Sequence, residues 1–148
     1  MTEYLRVATD ADTETLLLLM QEFYATEHLI FREKVLRRCI DEMFENPKLG
    51  HVYIIELNTQ PVGYVVLTFG YSLEFHGQDA LVDEFYVREP FRGQGIGSSV
   101  LESIAKMCRD EGIAAVHLEV DRENTAAQQL YQREGFVDHH RYLLTKWV

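Results

Sequence analysis

At 148 residues, with 47% hydrophobic and 26% charged residues, the sequence has the length of one domain and the make-up of an ordinary globular protein. Its formal net charge of −10 opposes nucleic acid, whose phosphates are held by basic side chains, and suits a cationic partner. No apolar run approaches the roughly 20 residues that span a bilayer, and "MTEYLRVATD" lacks the segments of a signal peptide, so a cytoplasmic protein without a membrane partner is expected.

In chain order, 5–9 reads as a short strand. Asp10 or Asp12 then caps a helix whose Leu16, Leu19, Met20 and Phe23 recur at i, i+3, i+4, i+7. A second helix, "FREKVLRRCIDEMFEN", sets Val35, Leu36, Cys39, Ile40, Met43 and Phe44 on one side and stops before Pro47. The period then changes to that of strands, over 51–57, 62–72 and 79–87, the first two joined as a hairpin by "NTQP". A helix from about Ile96 to Glu111 follows, then a strand over 113–120, a helix in "ENTAAQQLYQREG" with Gly135 as its cap, and a final strand region in "FVDHHRYLLTKWV". The order β-α-α-β-β-β-α-β-α-β makes a single-domain mixed α/β sheet, antiparallel early, with a crossover helix after the central strand. Cys39 and Cys108 form no disulfide framework and no metal motif; both read as small buried hydrophobes.

The chemistry gathers in "YVREPFRGQGIGSSVLESIAKM". Three glycines, Gly93, Gly95 and Gly97, stand where a helix begins, although glycine costs about 1 kcal/mol there relative to alanine. A helix start presents unpaired N–H groups and a positive partial charge, and glycines let a ligand approach them without meeting a Cβ. With Arg92 at the lip, this is an anion pocket suited to a phosphate or diphosphate. The Gly-Lys-Ser/Thr ending of a nucleotide-triphosphate loop is absent, and the Gly-x-Gly-x-Gly spacing late in the chain does not fit a dinucleotide fingerprint.

"VREPFRGQGIGSSVL" resembles the Arg-x-x-Gly-x-Gly signature of the GNAT N-acetyltransferase superfamily, carried by Arg92, Gly95 and Gly97. "LEVDRENTAAQQLYQREGF" is similar to a second segment of that family through Asn124, Ala127, Leu130, Tyr131, Gly135 and Phe136. The close resemblance covers residues 79–137. It implies one N-acetyltransferase domain over 1–148, with a splayed central strand and acetyl-CoA as co-substrate without a metal. It places the diphosphate on the backbone N–H groups from Gln94 through Gly95, Ile96 and Gly97 to Ser98, with Arg92 and Gly93 also at the cofactor site. The pantetheine arm would pair with the strand edge at Phe85, Tyr86 and Val87, and Asn124, Ala127 and Tyr131 would face the thioester.

Acetyl transfer to an amine poses two proton problems. An alkylammonium with a pKa near 10 is neutral in about one molecule per thousand at pH 7, a deficit of roughly 4 kcal/mol that a carboxylate base relieves. The departing thiolate needs an acid, and the resemblance implies Tyr131; donation from a phenol is uphill by only about 2 kcal/mol. For the base, "LVDEFYV" offers Asp83 and Glu84. Successive strand residues face opposite sides, so one of the two is expected at the acceptor cleft, and the longer reach of Glu84 favours it. Both also read as groups that merely orient a cation. His76 is expected in an exposed turn and His117 in a structural role. The acidic balance points to a small cationic amine acceptor, such as a polyamine, diamine or amino-sugar. A protein N-terminus or lysine, or a non-catalytic acyl-CoA-binding module, are the alternatives. The apolar "RYLLTKWV" is expected to pair with a partner's strand edge in a homodimer.

Overall fold

The structure, a computed structural model, describes residues 3–148. Five strands form one sheet in chain order: β1 (Leu5–Val7), β2 (Gly50–Leu57), β3 (Gln60–Ser72), β4 (Gly77–Val87) and β5 (Ala115–Leu118). The first four pair antiparallel, and β5 pairs parallel to β4. Four helices complete the fold: α1 (Thr13–Thr26), α2 (Glu33–Glu45), α3 (Ile96–Asp110) and α4 (Thr125–Arg133).

The alternation of the strands gives the sheet two apolar faces, each covered by helices. Tyr53, Ile55, Val65, Leu67, Ala80 and Val82 face α3, meeting Ile96, Val100, Ile104 and Cys108. Val52, Ile54, Tyr64, Val66 and Tyr86 face the first two helices, meeting Leu16, Leu19, Met20 and Ile40. Leu16, Leu19 and Met20 are buried as the i, i+3, i+4 spacing requires. Burying a leucine of this kind contributes about 1.5–3 kcal/mol, so this stripe fixes α1 against the sheet.

Three local expectations need correction. The cap of α1 is indirect: Asp12 accepts from the Thr9 N–H at 2.8 Å and from Arg6 at 2.8 and 2.9 Å, while Arg6 also reaches Glu56 at 2.9 Å. Arg6 thus ties β1 to β2 through Glu56 and to the helix start through Asp12. In α2 only Ile40 is fully buried, and Cys39 is exposed. This helix lies over the sheet on one narrow line, so Cys39 sits at the edge of its apolar side. The third concerns 136–148, which form no strand. Residues 137–148 are exposed throughout, and no backbone hydrogen bond joins them to β5. Strand propensity is present there, but the segment pairs with no strand of the sheet.

Candidate active site

The central strand carries one residue too many. Val66 of β3 pairs with Glu84, but the next residue, Leu67, pairs with Val82, leaving Asp83 as a bulge. The consequence is a switch of faces. Before the bulge Val82 packs towards α3; after it Glu84 and Tyr86 point towards α1. Asp83 and Glu84 consequently both line one cavity of about 80 Å³ between α2 and the sheet. Its remaining walls are Met20, Leu36, Cys39, Ile40, Met43, Val52 and Val66, none of them charged. The strict alternation that assigned only one carboxylate to the cleft fails here, because the extra residue breaks the period of two.

Glu84 is held by two phenols that sequence reasoning missed. Tyr24 of α1 donates to one carboxylate oxygen at 2.5 Å, and Tyr64 of β3 donates to the other at 2.8 Å. Burial pushes Glu84 above the usual carboxylate range, and the two phenols oppose part of that rise. Asp83 remains exposed as a residue, and partial loss of water around its carboxyl pushes it up in the same direction. A carboxylate raised towards neutrality is a stronger base than an ordinary one. The signal for Tyr64 was available: it is the one hydroxyl inside the apolar run "VGYVVL".

Beyond the bulge the sheet opens. β5 pairs with β4 only from Asp79 to Val82, so 83–87 have no neighbour on that side. The Arg88 N–H bonds Val62 of β3, and by alternation Phe85 and Val87 aim their amides at the open edge. The Val87 carbonyl is engaged there by the Nε of Arg92 at 2.7 Å. The Arg92 guanidinium also lies 5.7 Å from the centre of the Tyr86 ring. Tyr86 itself is buried, with its hydroxyl on Glu22 at 3.2 Å, so its side chain belongs to the core and to a clamp between α1 and β4. Arg88 closes that clamp with two bonds of 2.9 Å to Glu22.

The strand leads into the glycine turn. Gly93 and Gly95 have φ of +75° and +82°, the left-handed region, and a Cβ built on either would meet nothing within 4 Å. They serve the turn and leave open space above it. The first bond of α3 runs from Ser99 N to Gly95 O at 3.1 Å, so the N–H groups of Gly95, Ile96, Gly97 and Ser98 precede the helical ladder. These donors beside open space fit a diphosphate. Gly97 has another reason: a Cβ there would stand 3.2 Å from Leu130 and 3.7 Å from Phe85. Gln94 rests on the Pro90 carbonyl at 3.3 Å, and the Ser98 hydroxyl donates to Glu134 at 2.6 Å.

On α4 the three family positions separate. Asn124 is the N-cap, its side chain accepting from the Ala127 N–H at 3.1 Å. Its carbonyl oxygen is thus engaged in holding the helix. Ala127 is partly buried and Tyr131 half-buried, its ring 6.0 Å from that of Phe136. Burial first, and the nearby charge of Glu27 second, raise the Tyr131 phenol above its ordinary value. His76 is exposed in the β3–β4 turn, and His117 bonds Asp79 at 3.1 Å. Among the described residues no group of three His, Cys, Asp or Glu is placed to hold a metal ion, and no helix is long and apolar enough to cross a membrane.

The chain is similar to known proteins. The model of the acetyltransferase (GNAT) family matches residues 17–136. Thialysine N-epsilon-acetyltransferase of Bos taurus is 29% identical over 144 residues, 90% of this chain and 84% of that protein. Aminoalkylphosphonate N-acetyltransferase of Salmonella typhimurium is 28% identical over 138 residues, 92% and 86% of the two chains. An integron cassette protein from the mobile metagenome of Cole Harbour Salt Marsh superposes with a TM-score of 0.86 at 32% identity, over 98% of this chain and 90% of that one. A predicted acetyltransferase of Clostridium acetobutylicum, solved with acetyl-CoA, superposes with a TM-score of 0.81 at 20% identity over 96% and 94%. With the family matched over most of its length, the chain belongs to the GNAT acetyltransferases, enzymes that use acetyl-CoA.

Proposed function

We propose that residues 1–148 form one N-acetyltransferase domain that moves an acetyl group from acetyl-CoA to the primary amine of a small cationic acceptor. The observation that carries this reading is the Asp83 bulge, which sets two carboxylates at one end of an apolar cavity, next to the open edge of β4. An ammonium would meet Asp83 and Glu84 there, while its carbon chain would lie against Leu36, Ile40 and Met43. The space suits a few water-sized groups, not a macromolecule. The net charge of −10 favours cations in the same sense and opposes nucleic acid, and a cytosolic setting fits the charge and composition. The names of the two relatives, thialysine and aminoalkylphosphonate acetyltransferases, also point to small amines. A homodimer fits the exposed apolar segment after α4.

Each residue then has a task. The N–H groups from Gly93 to Ser98 and the guanidinium of Arg92 would hold the diphosphate, and the amides of Phe85 and Val87 the pantetheine arm. Acetyl-CoA supplies an acyl carbon open to attack and a sulfur that leaves as thiolate. Glu84, with Asp83 beside it, takes the proton from the incoming ammonium and frees the nitrogen lone pair. Tyr131 gives its phenolic proton to the departing sulfur. Because burial raises this phenol, that donation is steeper than the roughly 2 kcal/mol of an exposed tyrosine, and it must be coupled to C–S cleavage. The test has two stages. Titration calorimetry with CoA and acetyl-CoA should give binding. Thiol release with polyamines, monoamines, amino sugars, amino acids and peptides should then favour the small amines. Absence of heat with either form of CoA on folded protein overturns the reading, and preference for peptides overturns the acceptor.

A further inference from the structure

The cavity between α2 and the sheet carries charge at one end only. Asp83 is exposed at its mouth, where Leu36 and Met43 are half-buried and Cys39 is exposed. The floor is Met20, Ile40, Val52 and Val66, all of them buried. Among the described residues no lysine, arginine or histidine lines it, and no acid besides Asp83 and Glu84. We propose that the acceptor is a primary monoamine with a short, uncharged, apolar tail, an inference that rests on the reading of this cavity as the amine site. Diamines, polyamines and amino acids are then poor acceptors.

The placing of the nitrogen decides the matter. Both oxygens of Glu84 already accept a phenol, at 2.5 and 2.8 Å. Nothing among the described residues donates to the Asp83 carboxyl, whose one perturbation is partial loss of water. Asp83 thus offers open lone pairs to an ammonium arriving from solvent, with Glu84 next to it. With the nitrogen held at the mouth, the chain behind it runs inward over the apolar floor. A second ammonium on that chain would leave water for walls that hold no acceptor, and a buried charge without a partner is strongly disfavoured.

An acid group at the far end fails for the mirror reason, because it needs a cation. The arginines of α2 are engaged with acids outside the cavity. Arg37 bonds Glu14 at 2.7 Å and Glu33 at 3.1 Å, and Arg38 lies 3.8 Å from Glu42. A methyl group, by contrast, gains from every wall it meets. The length follows from the space. A cavity of about 80 Å³, at roughly 10–15 Å³ for each water-sized group, takes about five to eight such groups. An amine with a tail of about five carbons fills it.

The experiment is thiol release by the full chain at saturating acetyl-CoA, with n-alkylamines of increasing length and with putrescine and γ-aminobutyrate. Pentylamine, putrescine and γ-aminobutyrate are alike in length and end in a methyl, an ammonium and a carboxylate. The kcat/KM should rise about fourfold per methylene from ethylamine to pentylamine, the equivalent of about 0.8 kcal/mol, and stop rising once the space is full. Putrescine and γ-aminobutyrate should fall at least about tenfold below pentylamine. Val52→Leu, which adds a methylene to the floor, should lower the ratio of pentylamine to ethylamine by about fourfold, and unchanged CoA affinity would show the variant folded. Putrescine or γ-aminobutyrate at or above pentylamine overturns the proposal and leaves amine acetylation standing. A rate indifferent to chain length, or a Val52→Leu ratio equal to that of wild type, also overturns it. Turnover with no amine at all overturns both the proposal and the reading beneath it.

Discussion

Replacing Glu84 by Gln separates the two duties proposed for it, holding the site together and taking a proton. Two phenols donate to this carboxylate, at 2.5 and 2.8 Å. Bonds to a charged acceptor contribute about 1.5–3 kcal/mol, and neutral ones about 0.5–1.5. Glutamine keeps one accepting oxygen, and the second phenol can turn to accept from the new amide. The loss is then about 2 kcal/mol in hydrogen bonding. Against it stands the removal of a charge that burial disfavours. The terms oppose, so the net change in stability should stay below roughly 2 kcal/mol, a Tm shift within about 8 °C for a chain this long. The chemical step has no such offset. Losing the base should lower kcat/KM by about 10²–10⁴. Thiol release at saturating acetyl-CoA, with calorimetric Tm, reads both.

The pH dependence supplies the sign. The folded Glu84 lies above its ordinary 4.5, so the folded state holds a proton that the unfolded state has already released. Between the two values stability falls as pH rises, and the substitution should flatten that slope. The rate runs the other way: kcat/KM should rise with pH through the raised value as the carboxylate ionises. In Glu84→Gln this acid limb should vanish. A variant folded and within about threefold of wild type in kcat/KM would refute the reasoning. Glu84 would then be a structural hub, and the base would lie elsewhere.

Other predictions follow from single contacts. Tyr131→Phe should cut kcat by more than about tenfold while calorimetric affinity for CoA is nearly unchanged, if the phenol acts only on the leaving sulfur. Gly63→Ala should destabilise by more than about 3 kcal/mol in urea unfolding, because a Cβ there would stand 2.1 Å from the Tyr86 carbonyl, a backbone atom that cannot yield without parting β3 from β4. Asn124→Ala should lose about 0.5–2 kcal/mol of stability with the α4 cap; CoA affinity should fall by less than would be expected had its side chain bound the cofactor.

Periodicity made most of the fold legible. The strands and helices lie within a few residues of where hydrophobic spacing puts them, because each has one face that must be buried. The glycine turn was legible for a different reason: positive φ and a start of helix can be read from residue type alone. What the sequence hid depends on partners distant in the chain. Tyr24, Tyr64 and Glu84 are brought together across 60 and 20 positions, and nothing local marks them as a unit. Cys39 shows the limit of the helical stripe, since its place at the stripe's edge follows from how α2 lies on the sheet. The segment 136–148 has the propensity of a strand, but propensity does not decide whether a segment joins the sheet.

The bulge at Asp83 ties these strands of argument together. Had β4 kept its alternation, Glu84 would follow Val82 to the α3 face, into an apolar core with no phenol to meet it. Asp83 would stand alone at the α2 side. One inserted residue moves Glu84 to the face where Tyr24 and Tyr64 wait, and it falls one position past the last residue that β5 pairs. A bulge increases local twist and ends regular pairing, so the step that gathers the carboxylates stands where the two parallel strands part. The proposed base and the opening proposed for the thioester therefore have one origin. Neither can be shifted along β4 without the other, and this is why the order Asp-Glu matters less than the position at which the period breaks.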